Sequence, residues 1–348
     1  MIDEWLSTNL VCPRDHGTLR LENDVLFCGA GHNYDVVDDI PIMLLPEVQQ
    51  TLWVSRASLE AGMFASSPRG SNWFIDSVGI SEQERTRLFQ EEGRTAAIDP
   101  VVNSLVHATC GNLYKPLLGS LTSYPIPELR LPDAKGEVFL DAGCNWGRWS
   151  VAAARKGYRV VGIDPSLGAV VAARRVSAHL GVSATYVVAD VRFLPFPPET
   201  FDFVFSYSVL QHFCARDVRT SLKAIARALK PNGTSLIQMA NMYGLRSLTH
   251  QTRRRFREAR GFEVRYWSPR KLKAVFDELI GTTSLDVDGY FGLGIQMSDA
   301  HLLPFKYKMV VYLSEMMRAV SQKLPFLRRA ADSLYVRSVR DVRIGAKG

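Results

Sequence analysis

The sequence predicts an α/β fold: a doubly wound, seven-stranded, mostly parallel sheet, with a small Cys/His module ahead of it and helical lid insertions toward its C-terminal end. Two observations carry that expectation. Apolar runs end on an acid three times in succession, at Asp141, Asp164 and Asp190, and residues at helical spacing separate each run from the next. Such alternation is the pattern of βαβ units, whose strands lie parallel and covered on both faces. The turn after the first run holds Gly143 and Gly147, so bare backbone meets the start of the next helix. A nucleotide-like ligand can lie against such a turn because no side chain holds it off.

A chain of 348 residues implies a principal domain of about 200 residues with additions. No apolar run approaches the roughly 18 residues of a membrane span, and Met1-Ile-Asp-Glu lacks the basic and apolar parts of a signal peptide, so a cytoplasmic location is expected. The five cysteines are too few and too scattered for a disulfide framework and should be reduced.

Residues 1–48 form the first expected unit. Two Cys-x3-His pairs, Cys12/His16 and Cys28/His32, flank a hairpin-like stretch, and thiolate with imidazole is zinc's preferred structural donor set. A segment this short builds little core without a metal. The arrangement resembles the zinc-ribbon module that precedes some methyltransferases, among them ribosomal-RNA guanine methyltransferases. Here Asp15 stands at the second cysteine position, so Asp15 or His16 supplies the fourth ligand, or the site has lost its metal. Residues 49–135 read as a helical linker or cap. Helices are expected from Ser81 to about Gly93 and from Pro100 to Thr109; Trp73, Phe74 and Tyr114 are read as packing between helices rather than as a site mouth.

From residue 136 onward the alternation begins. The first turn, Asp141-Ala-Gly143-Cys-Asn145-Trp-Gly147, resembles the first motif of the class I S-adenosylmethionine-dependent methyltransferases, with Asn145 replacing the middle glycine. Asn tolerates a left-handed backbone better than other non-glycine residues, so the turn can survive; its amide is the alternative contact for the cofactor's carboxylate. Asp164, followed by Pro165, is placed for the ribose hydroxyls. The resemblance assigns Asp190 and Val191 to the adenine ring. It assigns Phe201 to Ser206 to the strand that exits beside the reactive methyl group, so Ser206 joins the expected cofactor set. His212 follows and is either a general base or a packing residue beside the cofactor. Leu229 to Met239 matches the helix end, turn and fifth strand, so the resemblance covers residues 137–240.

The C-terminal third should decide the acceptor. From Ala240 onward, 20 Lys or Arg face 10 Asp or Glu, against 22 and 25 before it, so the basic surface belongs to this part. Ser268-Pro269 starts a helix, Ser284 to Phe291 reads as a strand, and Ser333 to Arg337 as the last strand. Two insertions are left over, 241–267 and 292–332, expected to form a lid carrying Tyr243, Arg246, His250, Arg254, Tyr266, Trp267 and His301. The helix over Phe305 to Gln322 is expected to pack on its own domain rather than on a membrane. The function expected is methyl transfer from S-adenosylmethionine to the oxygen or nitrogen of a small-molecule or glycan-type acceptor, with His212, Tyr243 and His250 as base candidates and a structural Zn2+ at the N-terminus. RNA methylation through the basic third, and a non-catalytic cofactor-binding module, are the competing readings. The acceptor atom and the oligomeric state are not legible in the sequence.

Overall fold

Seven strands form the central sheet of the computed structural model, which describes residues 2–49, 54–63, 98–292, 294 and 296–341. The helix expected from Ser81, and Trp73 and Phe74, lie outside the described residues. The N-terminal part comprises helix α1 (Glu4–Asn9) and an antiparallel four-stranded sheet of β1 (Leu19–Glu22), β2 (Val25–Cys28), β3 (Asn33–Val37) and β4 (Ile40–Pro41). Helix α2 (Val54–Met63) and helix α3 (Pro100–Cys110) follow.

The large sheet is built from β5 (Val138–Ala142), β6 (Arg159–Asp164), β7 (Ala184–Val188), β8 (Phe201–Ser206), β9 (Leu229–Ala240), β10 (Gly281–Gly289) and β11 (Ser333–Arg340). Its order is β10-β11-β9-β8-β5-β6-β7. The strands from β9 across to β7 run parallel, and β11 is antiparallel to both neighbours. Helices α4 (Arg148–Arg155), α5 (Leu167–His179) and α6 (Ala215–Ala228) are the crossovers, and α7 (Leu245–Arg253), α8 (Pro269–Leu279) and α9 (Phe305–Lys323) belong to the C-terminal third. This is the doubly wound, mostly parallel sheet that the acid-terminated runs predict.

The period of two along each strand sorts the core into two layers. Leu140, Val161 and Val187 cluster with Val218, Leu222, Leu272 and Phe276 of α6 and α8. Phe139, Val160 and Phe205 cluster instead with Trp149, Ala152 and Ala153 of α4. Chain direction across the sheet reverses between β5 and β8, because β6 and β7 build outward on one side and β9 on the other. A crevice opens at the carboxyl ends of strands flanking such a switch point.

The N-terminal part is attached to the sheet's far edge. Ile42 pairs in parallel with Val188, and the Met43 N–H donates to the Val188 carbonyl at 2.7 Å, so the segment after β4 covers the edge that β7 would otherwise expose. Ser268 caps α8 by accepting from the Lys271 N–H at 3.3 Å, with Pro269 in the first turn, as its sequence predicts. Helix α9 packs on its own domain, as expected: it buries Val311, Ser314 and Ser321, with Tyr307, Val310 and Met317 against the core, while Phe305 (78%), Met316 (57%) and Met309 (51%) stay exposed on its other side. No described helix is long and apolar enough to cross a membrane.

Candidate active site

The turn after β5 is shaped by close approach. Gly143 has φ +84, and a Cβ there would lie 2.2 Å from Cγ2 of Val209. Gly147 has φ +82, with Tyr186 Oη 2.8 Å from the position its Cβ would take. Asn145 has φ 47, and its Oδ1 accepts from the Trp146 N–H at 2.8 Å, so this side chain supports the turn itself.

The three strand-end acids have different surroundings. Asp141 is fully buried; its Oδ2 accepts from Ser150 Oγ at 2.6 Å, and its Oδ1 has no partner among the described residues. Burial pushes its carboxyl up to about 7. Asp164 accepts from the backbone N–H of Asn145 at 3.1 Å and of Ser166 at 2.9 Å, and burial pushes it up to about 6. A carboxylate offers about four acceptor positions, so Asp164 keeps acceptor capacity beyond these two bonds. Asp190 engages Arg192 through both oxygens, the shortest bond at 2.6 Å, so an adenine amino group would compete with that guanidinium. Val191 is buried beside it, Pro165 is bonded through its carbonyl to Ser58 Oγ of α2 at 2.8 Å, and the Ser206 hydroxyl donates to the Ala142 carbonyl at 2.7 Å, tying β8 to β5.

A cavity of about 860 Å³ lies past the ends of β8 and β9. Its lining runs from Ser208, Gln211 and His212 behind β8 to His250 and the arginines around the end of α7, and on to Asp332 at the start of β11. Asp141, Gly143, Asp164 and Asp190 are not in that lining, and neither is Tyr243, which is 48% exposed. The imidazole of His212 stacks on Phe262 with centroids 3.8 Å apart, and its Nδ1 bonds the Phe262 carbonyl at 2.6 Å. Burial holds its pKa down to about 4, so the ring is neutral near pH 7 and accepts only through Nε2. His250 also titrates below its ordinary value, through burial and the charges of Arg246 and Arg253.

Asp332 is the residue that the sequence reading missed. Its Oδ1 accepts from the Ser247 N–H at 2.7 Å, its Oδ2 is buried without a partner among the described residues, and burial raises its pKa. A carboxylate raised this way takes up a proton more readily than an exposed one. The antiparallel register Ser333↔Ala240 brings Asp332 under the segment after β9, and pattern along the chain does not reveal that register. Trp146 and Trp149 are core residues: Trp146 donates from Nε1 to Thr109 at 3.0 Å, and Trp149 packs on Tyr207 at 4.6 Å. Tyr266 lines the cavity, while Trp267 pairs with Asn241 beside β9 and His301 is exposed.

At the N-terminus the donor atoms of Cys12, Asp15, Cys28 and His32 all lie within 4.8 Å of one another. His32 Nδ1 is 3.1 Å from Asp15 Oδ2, and both Asp15 oxygens are 3.4 Å from Cys28 Sγ. Of the two sequence candidates for the fourth position, Asp15 is in this cluster and His16 is not; the His16 backbone is left-handed at φ 59. The five cysteines are unpaired.

A family model described as a methyltransferase domain matches residues 139–233, the span from β5 to the start of β9. The chain carries a class I S-adenosylmethionine-dependent methyltransferase domain. The tRNA U34 carboxymethyltransferase of Desulfotalea psychrophila is 33% identical over 119 residues, which are 34% of this chain and 37% of that protein. The ubiquinone biosynthesis O-methyltransferase of Azorhizobium caulinodans is 33% identical over 107 residues, 31% of this chain and 42% of that protein. The chain thus spans less than half the length of these curated relatives. A solved S-adenosylmethionine-dependent methyltransferase from Methanosarcina mazei aligns at 16% identity and TM-score 0.44, over 64% of this chain and 99% of that one. A chain of the complex between the Haloferax volcanii Trm112 methyltransferase activator and a methyltransferase aligns at 20% identity and TM-score 0.43, over 75% of this chain and 99% of that one. The two curated relatives are named for different acceptors, so the acceptor has to be argued from the cavity.

Proposed function

We propose that this protein transfers a methyl group from S-adenosylmethionine to the oxygen or nitrogen of a small acceptor held in the cavity beyond β8 and β9. The observation that supports it best is the turn at Gly143 with Asp141, Asp164 and Asp190 at three adjacent strand ends. Each feature fits one part of the cofactor. The unpartnered Oδ1 of Asp141 suits the ammonium of the methionine end, and the left-handed Gly143, packed against Val209, fixes the path of the turn beside it. Asp164 would take the ribose diol, and Asp190 with the Val191 backbone the adenine edge. When bound, the cofactor supplies an already activated methyl group.

What remains for the protein is alignment, exclusion of water and removal of the acceptor's proton. Ser208, Gln211 and His212 sit where the cavity approaches the end of β8. His212, held neutral, serves as a hydrogen-bond acceptor at Nε2 rather than as a strong base. Asp332, with one oxygen bonded and one unpartnered, is the better proton acceptor, and His250 lies in the same lining. Tyr243 lies outside that lining and is not retained as a base. At the N-terminus Cys12, Asp15, Cys28 and His32 offer a closed four-ligand set suited to structural zinc, which leaves no open position for chemistry.

The test is a titration of the full chain with S-adenosylhomocysteine, followed by transfer of labelled methyl groups to fractionated metabolites and total RNA. Asp164→Ala should weaken cofactor binding by tenfold or more, roughly the worth of a charge-assisted contact to the ribose. Unchanged affinity would sink the cofactor assignment. Asp332→Asn should leave binding intact and lower kcat by about 10²-fold, the lower range for loss of a general base.

A further inference from the structure

The charge of the cavity names the class of acceptor. Building on the methyltransferase reading above, we propose that the acceptor is a small phosphorylated compound whose phosphate is held by the arginines of α7 and of the turn after it. Arg246, Arg253, Arg254, Arg255 and Arg257 all line the one cavity, against two carboxylates, Glu263 and Asp332. Glu263 is taken by Arg257 at 2.6 Å. Among the described residues, no carboxylate lies within ion-pair distance of Arg246, Arg253 or Arg255. Arg254 donates to the Val264 carbonyl at 2.9 Å and lies over the Tyr266 ring, and its buried Nε has no partner among the described residues.

The backbone turns sharply within this stretch. Residues 253–255 would fan out around a continued helix, because successive side chains there point about 100° apart. Instead the helix stops at Arg253, and Arg255 and Phe256 take left-handed conformations, φ 54 and 55, which L residues adopt only at a cost. The Arg255 N–H bonds the Thr252 carbonyl and the Phe256 N–H bonds the Gln251 carbonyl, each at 2.8 Å, which holds the turn. Arg246, Arg253, Arg255 and Arg257 are solvent-exposed, and together with Arg254 they give the cavity a positive potential that a multivalent anion among them would lower. A phosphate, with up to two charges and several acceptor oxygens, matches converging guanidinium forks better than a single carboxylate does. The volume of about 860 Å³ is that of a small-molecule site, and Phe262, Tyr266 and Phe291 in the lining offer faces for the organic part.

The experiment is calorimetric titration of the full chain with pyrophosphate, with S-adenosylhomocysteine titrated in parallel. Saturable pyrophosphate binding is expected. The pair Arg246→Gln/Arg255→Gln should weaken it at least about tenfold, the Arg246→Lys/Arg255→Lys pair should retain most of it, and Lys306→Gln/Lys308→Gln on α9 should leave it unchanged. S-adenosylhomocysteine affinity should stay constant throughout, which shows that the variants are folded. Absence of pyrophosphate binding, or equal binding in the Gln pair, overturns the proposal and leaves the methyltransferase reading standing. Transfer RNA binding more tightly than pyrophosphate, with a salt slope of several phosphates and loss in the same Gln pair, overturns it in favour of a polymeric acceptor. Pyrophosphate binding without any S-adenosylhomocysteine binding removes the methyltransferase reading, and the acceptor proposal with it.

Discussion

Asp141 is fully buried at the end of β5, and its environment sets a pH dependence for cofactor binding. Burial pushes its pKa to about 7, and Ser150 is its one hydrogen-bond donor among the described residues. An unfolded aspartate titrates near 4, so between about pH 4 and 7 the folded protein holds a proton that the unfolded chain has released. Stability from this group is therefore full at acid pH and lost as pH rises through 7. A ligand ammonium reverses the balance by favouring the ionised carboxylate. Below pH 7 binding must expel a proton, so S-adenosylhomocysteine affinity should rise up to tenfold per pH unit and flatten above 7. Asp141→Asn should remove the slope between about pH 6 and 7 and leave only the part that Asp164 contributes below about 6; calorimetry across pH 5.5 to 8.5 checks it, and a flat profile in the wild type counts against the contact. At this scale the sequence was partly legible. The left-handed backbone at Asn145 follows from the residue type that stands in a glycine position. That Asp15 rather than His16 joins the cysteines does not, because both stand close behind Cys12 and only the local turn decides which side chain faces Cys28.

Among elements, the insertions are where pattern alone runs out. The strands β5, β6 and β7 were readable because burial on both faces demands uninterrupted apolar runs. Helix α3 and the cap of α8 were readable from their proline and serine signals. The segment before α9 was not, because a buried ion pair fixes it. Arg148, at the start of α4 just after Gly147, meets Asp299 at 2.8 Å with both side chains almost fully buried, and the Tyr114 hydroxyl donates to the same carboxylate. With Tyr114, this pair joins the turn after β5, the segment after α3 and the second insertion, three stretches separated by more than a hundred residues between the ends. Removing one partner leaves an uncompensated buried charge, so Asp299→Ala should cost about 3–5 kcal/mol in urea unfolding. Because Arg148 follows the Gly turn directly, the same change should weaken cofactor binding; loss of stability under about 1 kcal/mol would mean that the pair breaks even.

Across the whole molecule, the N-terminal part and the methyltransferase domain share one core. Leu6, Leu10, Cys12, Leu26, Cys28, Tyr34 and Met43 belong to the same buried cluster as Val191, Leu194, Phe196, Phe201 and Ile225. Trp5 sits 6.3 Å from the rings of both Phe196 and Phe201, and the Val11 N–H donates to the Pro195 carbonyl at 3.0 Å. The sequence marked the Cys/His segment as a separate module because local ligand spacing is visible along the chain. Its docking rests on single apolar residues spread over the first 45 positions, and no periodicity announces them. A shared core implies that the two parts melt together. Scanning calorimetry should therefore show one transition for the full chain. Zinc bound at Cys12, Asp15, Cys28 and His32 should raise the midpoint of that same transition by mass action, and Cys28→Ser should abolish the gain. Two resolved transitions, with zinc moving only the lower one, would show that the N-terminal part folds independently of the sheet it covers. A midpoint indifferent to zinc would instead make the cluster a hydrogen-bonded remnant of a ligand set, with Asp15 holding Cys28 and His32 without a metal.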